Sequence, residues 1–249
     1  MNIRSTYSPG TPLNQFIDLI WIGDGTDLKM SSFHHAALFT ELIFNYDGYF
    51  RVKGQNVENF GSTNGTQIIS GLKSTPFHTS TSGTYNNVGI LMKPHGYGML
   101  IERFGTKEIE DLSEIIHENL MVTSAPNYAV VESYLTKLFG RGSIDPDIIK
   151  FEKQSSFELL GSGFHKNFNK GLVVSQKSFI RKFKRLYHLT PNKYLLLKQV
   201  NYASRLIQSN PNSSLTEIGL EAGFYDQSHF IRSFKTHYGY TPKQLKMGK

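Results

Sequence analysis

The 249-residue sequence contains no cysteine, which excludes disulfides and every thiolate metal site. No run of 18 or more apolar residues occurs, and the opening MNIRSTYSPGTPLNQ lacks the apolar stretch of a secretion signal. Both absences point to a soluble, cytoplasmic chain with no membrane partner. A glycine-rich phosphate loop is also missing. Lys93-Pro94-His95-Gly96-Tyr97-Gly98 reads as a turn, without GxGxxG spacing and outside any βα pattern. No Ser/His/Asp set can be assembled from the order of the residues. His34, His35, Glu41, His78 and His95 are the available metal ligands. They lack the His-x-His spacing that would aim two imidazoles the same way, because neighbours on a strand face opposite sides. The reading is therefore of a protein with no catalytic site, metal or cofactor.

Charge is present but unevenly placed. Residues 1–150 hold 11 Lys and Arg against 15 Asp and Glu, a net −4, whereas residues 151–249 hold 16 against 5, a net +11. This asymmetry predicts an acidic front domain and a basic back domain with a polyanionic partner. In the front, short apolar runs at residues 16–22, 66–72 and 88–93 read as strands. Residues 41–46 and 49–53 flank Asp47-Gly48 and predict a type I′ hairpin. The Ser/Thr/Gly-rich stretches 61–65 and 79–87 read as loops. The sum is a β-rich domain over 1–105, a small barrel or a sandwich, able to hold one small ligand.

After Phe104 the apolar spacing lengthens to a helical period, with Ile109, Leu112, Ile115, Ile116 and Leu120 on one stripe. Tyr128, Val131, Leu135 and Leu138 form a second stripe. It is open to two readings, packing against the β domain or a homodimer interface. This helical segment covers 106–142. Gly140–Asp147, GRGSIDPD, has linker composition, and the linker is placed at 143–150.

The basic domain, 151–249, contains an internal repeat. DQSHFIRSFKTHYGYTP at 226–242 matches SQKSFIRKFKRLYHLTP at 175–191, with nine identical positions including Phe179/Phe230, Ile180/Ile231, Arg181/Arg232 and Phe183/Phe234. Each copy starts on an N-capping residue, Ser175 or Asp226, and buries aromatics four apart. Arg181 and Arg232 then point away from the core. Before the second copy, LTEIGLEAG supplies a helix, with Gly219 for a close crossing and Gly223 for a left-handed turn; this is helix-turn-helix chemistry. The corresponding stretch before the first copy, 164–174, has Asn169 and Val173 at those places. Thr190-Pro191 caps a connecting helix of about 18 residues, or about 27 Å. That is close to the ~34 Å between successive major grooves on one face of DNA.

Over residues 164–246, and most sharply in IGLEAGFYDQSHFIRSFKTHYGYTP, the chain resembles the AraC/XylS family of bacterial transcription regulators. The resemblance implies two helix-turn-helix units reading adjacent major grooves. Lys177, Ser178 and Arg181 would face DNA in the first unit, and Gln227, Ser228 and Arg232 in the second. Helix phase adds Arg185 and His229, and places Lys184 and Lys235 toward phosphates. The arginine usual in the connecting helix is replaced by Gln199. Tyr7-x-Pro9 through Trp21 and the later ELIFN resemble the cupin-like sensor domain of some members. The expected function is an effector-responsive, DNA-binding regulator, with RNA polymerase and a second copy as partners and no assigned ligand residues. Two alternatives stand beside it: a metal-dependent cupin-like enzyme fused to a DNA module, and an architectural DNA-binding protein.

Overall fold

The computed structural model describes residues 2–62, 65–140, 143–155 and 172–248. An antiparallel β-sheet domain comes first and a helical domain follows. Six strands, β1 (Asn2–Tyr7), β2 (Ile17–His34), β3 (Thr40–Lys53), β4 (Val57–Ser62), β5 (Gly65–Ser70) and β6 (Phe77–Met92), form one sheet in the order β1-β2-β6-β3-β5-β4.

Two sequence expectations are corrected here. Asp47-Gly48 is not a hairpin turn. β3 runs straight through it, because β6 is long enough to pair with Thr40 at Met92 and still with Lys53 at His78. Gly48 adopts φ +67° within a register shift, and a β-carbon there would lie 1.8 Å from the Thr84 carbonyl oxygen. The expected turn is a bulge that bends the strand. Residues 79–87 are likewise strand, not loop. This polar, threonine-rich run is paired on both sides, with β2 and with β3, and that pairing outweighs its loop-like composition.

The two faces of the sheet have different neighbours. Leu42, Phe44, Val88 and Ile90 pack under helices α2 (Thr106–Ile116) and α3 (Tyr128–Phe139), with a π-turn at His117–Met121 extending α2. α3 spends its apolar stripe inside the chain. Val131, Leu135 and Phe139 are buried, Phe139 stacks on Phe16 at 5.3 Å, and Tyr128 stacks on Tyr7 at 4.6 Å. Of the two readings of this stripe, packing against the β domain is the one observed.

The stretch 94–98 is also corrected, from turn to helix: α1 spans Pro94–Arg103, with proline at its first position. Its glycines serve close packing. A β-carbon on Gly98 would sit 2.2 Å from the carbonyl oxygen of Leu186 in the helical domain.

The helical domain begins earlier than expected. α4 (Pro146–Gln154) occupies most of the stretch expected as linker, so a boundary at 150 cuts through a packed helix. It is followed among the described residues by α5 (Gln176–Tyr187), α6 (Pro191–Ser209), α7 (Leu215–Glu221), α8 (Gln227–Tyr238) and α9 (Pro242–Lys246). Phe151 of α4 packs on Phe179 and Phe183, and Glu152 accepts from the Tyr187 hydroxyl at 2.7 Å and from Lys198 Nζ at 3.0 Å. α4 therefore supplies apolar area and a counter-charge to the first repeat unit. Most of 164–174, including Asn169, lies outside the described residues. Val173 is exposed, with its N–H held by Asp147 Oδ1 at 2.9 Å.

Candidate nucleic-acid interface

Both repeat copies fold as amphipathic helices for the reasons their sequence gives. Ser175 Oγ accepts the Ser178 N–H and Asp226 Oδ1 accepts the His229 N–H, so each helix starts on a side-chain cap. Phe179, Phe183 and Tyr187 are buried in one cluster, and Phe230, Phe234 and Tyr238 in another. The helices end on left-handed residues, His188 at φ +54° and Gly239 at φ +82°.

α7 and α8 form the second unit. α7 starts on a capping box between Ser214 and Glu217, and Gly223 turns the chain at φ +84°. Gly219 lets Phe230 approach to 3.1 Å of where a β-carbon would stand. Gln199, standing where the family's arginine is usual, is buried in α6. It donates from Nε2 to the Gly223 carbonyl at 2.9 Å and so ties the connecting helix to the turn. α6 is 19 residues long and carries residues of both clusters, Leu195 and Leu197 in the first and Val200 and Ala203 in the second.

Exposure of the candidate residues follows the helix phase at most positions, and all but one stand clear of an ion pair. Lys177, Arg181 and Lys184 on α5 are exposed, as are Gln227, Ser228, His229, Arg232 and Lys235 on α8; Ser178 is half-buried beside its cap. Gln227, which its helical phase alone set nearer the core, is exposed in the first turn. Arg185 is the exception. Its Nε–H donates to Glu102 Oε1 of α1 at 2.6 Å, and the neighbouring Lys182 pairs with Asp145 at 2.6 Å. The reason is the close approach at Gly98, which brings the acidic end of α1 onto this flank of α5. α5 thus has three sides: aromatics inward, Lys182 and Arg185 toward front-half carboxylates, and Lys177, Ile180, Arg181 and Lys184 open.

Two exposed side chains on this surface were not selected from the sequence. Ile180 stands among the cations of α5, and Tyr225, 95% exposed, stands immediately before the cap of α8. Identity between the repeat copies was the available signal for Ile180; nothing in the spacing singled out Tyr225.

The front-domain histidines do not converge. His34 bonds Thr79 Oγ1 at 2.8 Å, His35 stacks on Tyr238 at 4.3 Å, and His95 bonds the Gln15 carbonyl at 2.8 Å. Glu41 instead accepts the Trp21 indole N–H at 2.6 Å. No group of three metal-ligating side chains forms among the described residues, and no described helix is long and apolar enough to cross a membrane.

Comparison with known proteins agrees with this geometry. A helix-turn-helix domain model matches residues 170–247. The chain is similar to the transcriptional regulator ExsA of Pseudomonas aeruginosa, 30% identical over 135 residues, which are 54% of this chain and 46% of that one. The thermoregulatory protein LcrF of Yersinia pestis is 32% identical over 88 residues, 35% of this chain and 31% of that one. The activator RhaS of Escherichia coli is 28% identical over 76 residues, 30% and 27% respectively. The chain thus spans less than half the length of these relatives. Residues 5–112 match a model for a domain of unknown function. Among solved structures, ToxT of Vibrio cholerae aligns over 91% of this chain and 98% of that one, at 15% identity and a TM-score of 0.45.

Proposed function

We propose that this chain is a sequence-specific DNA-binding transcription regulator whose β domain senses a small molecule. The observation that carries the DNA reading is the pair of capped helices, α5 and α8. Each buries aromatics on one side and presents exposed cations on the other, and one 19-residue helix joins them. Arg181 and Arg232 are assigned to base edges, Lys184 and Lys235 to phosphates. Ser178, Gln227, Ser228 and His229 sit in the first turns of the two helices. Arg185 joins them when Glu102 releases it. A second copy of the chain and RNA polymerase belong to the same reading as partners.

The decisive test is selection of a binding site from random duplexes with the full chain, followed by Arg232→Ala. The second unit has both its glycines in place, so losing Arg232 should remove about 1–3 kcal/mol of discrimination at one base pair. Arg181→Ala should remove less. Equal losses would contradict the inequality, and failure to select any site would end the DNA reading.

Support for the sensing role comes from the inner side of the sheet. Lys73 is fully buried, and its ammonium donates only to neutral groups, Ser70 Oγ at 2.8 Å and the Gly71 carbonyl. Burial lowers its pKa to about 8, against the opposing pull of Glu41. Burial raises that of Glu41, partly offset by the Trp21 hydrogen bond. Burial disfavours the charged form of both groups, and groups perturbed in this way cluster at functional sites. Trp21 is the sole tryptophan, so its emission reports this face directly. Titration with pooled metabolites should shift that emission and, in the same concentration range, the affinity for the selected site. A shift in emission with no change in DNA affinity would separate ligand binding from regulation.

A further inference from the structure

The open face of α5 contains one exposed apolar side chain. Ile180 lies between Lys177, one turn earlier, and Lys184, one turn later, with Arg181 beside it; it is 38% exposed. A branched apolar group costs solvation on a cationic, water-facing surface. Its repeat partner Ile231 is different, because it packs against the buried cluster of the second unit. The same residue is half-buried against its cluster in one copy and exposed in the other. Isolated exposed apolar residues are common on protein surfaces, so exposure alone assigns nothing. Position does. The cations of the opposite flank of α5 are paired with Glu102 and Asp145, so the side that lies open without breaking an ion pair holds Lys177, Ile180, Arg181 and Lys184.

Base edges in the major groove are polar apart from the C5-methyl of thymine, which apolar side chains read. We infer that Ile180 is a specificity-determining residue of the first unit, packing on a thymine methyl next to the base pair contacted by Arg181. This rests on the regulator reading above. Polar neighbours would position the helix on phosphates and leave that methyl unread, whereas Ile180 supplies a contact that cytosine and uracil cannot satisfy.

Deoxyuridine tests this without changing hydrogen bonding, since it lacks only the methyl. Each thymine of the selected site is replaced singly by deoxyuridine, and affinities of full-length wild type and Ile180→Ala are compared. One replacement should weaken the wild type about fourfold, the factor set by burying one methyl-sized group, and should have no effect on Ile180→Ala. All other replacements should act equally on both proteins. Ile180→Thr retains a methyl at that branch and should keep most of the sensitivity, a check that does not depend on the alanine variant folding well. Failure to select a site would sink the regulator reading and this inference with it. A selected site at which no replacement loses its effect in Ile180→Ala, or at which Ile180→Thr loses sensitivity at every thymine equally, would overturn the inference alone.

Discussion

Leu135→Asp should abolish cooperative folding of the β domain rather than yield a folded monomer. Leu135 is 1% exposed and sits on α3 one turn from Val131 and from Phe139, all inside the cluster that joins α3 to the sheet. Removing a buried leucine side chain costs about 2–5 kcal/mol. A carboxyl left there without a partner adds several more, against a total stability of about 5–15 kcal/mol for a typical protein. Thermal unfolding followed by circular dichroism is the check, with sedimentation beside it. Val130→Asp provides the contrast on the adjacent, exposed face of the same helix. It should change stability by no more than about 0.5 kcal/mol. A Leu135→Asp protein that melts normally and sediments as a monomer would return the stripe to a dimer interface.

Salt should weaken DNA binding steeply. Lys177, Arg181 and Lys184 on one helix and Arg232 and Lys235 on the other are exposed, and the Glu102-paired Arg185 makes a sixth cation. Each phosphate neutralised releases counterions, and log affinity falls with log salt at about 0.9 per contact. The four not assigned to base edges, Lys177, Lys184, Arg185 and Lys235, give a loss of about 10² between 50 and 200 mM salt. The measurement is the affinity of the full chain for its selected site across that interval. A flat response would remove the electrostatic basis of the DNA reading, whatever the relatives do.

Legibility from sequence followed the scale of the interaction. The helical repeat was readable in detail because cap, aromatic spacing and turn glycine are local, and each leaves its mark within four residues. Gly219 and Gly223 act as expected for that reason. Errors arose where a distant partner decides. Asp47-Gly48 carries every local mark of a hairpin, yet β6 supplies a neighbour for both halves of the strand and turns the dipeptide into a bulge. Pro94-His95-Gly96-Tyr97-Gly98 has the composition of a turn, but Gly98 answers to Leu186, 88 positions away. α4 was hidden by its Asp-Pro start, which is both a linker signal and a helix cap. Exposure of Ile180 could not be read at all, because its repeat partner with the same neighbours is half-covered.

The Arg185–Glu102 pair has a consequence in the language of linkage. One guanidinium cannot satisfy a carboxylate of α1 and a DNA phosphate through the same N–H at the same time. If DNA takes Arg185, the α1–α5 contact loses its ion pair, and the free energy by which that contact opposes DNA equals the free energy by which DNA opposes the contact. The exchange is symmetric even though the pair itself, exposed on the arginine side, is a weak one. A small molecule that tightened α1 against α5 would therefore loosen DNA, and DNA would in turn loosen its hold on that molecule.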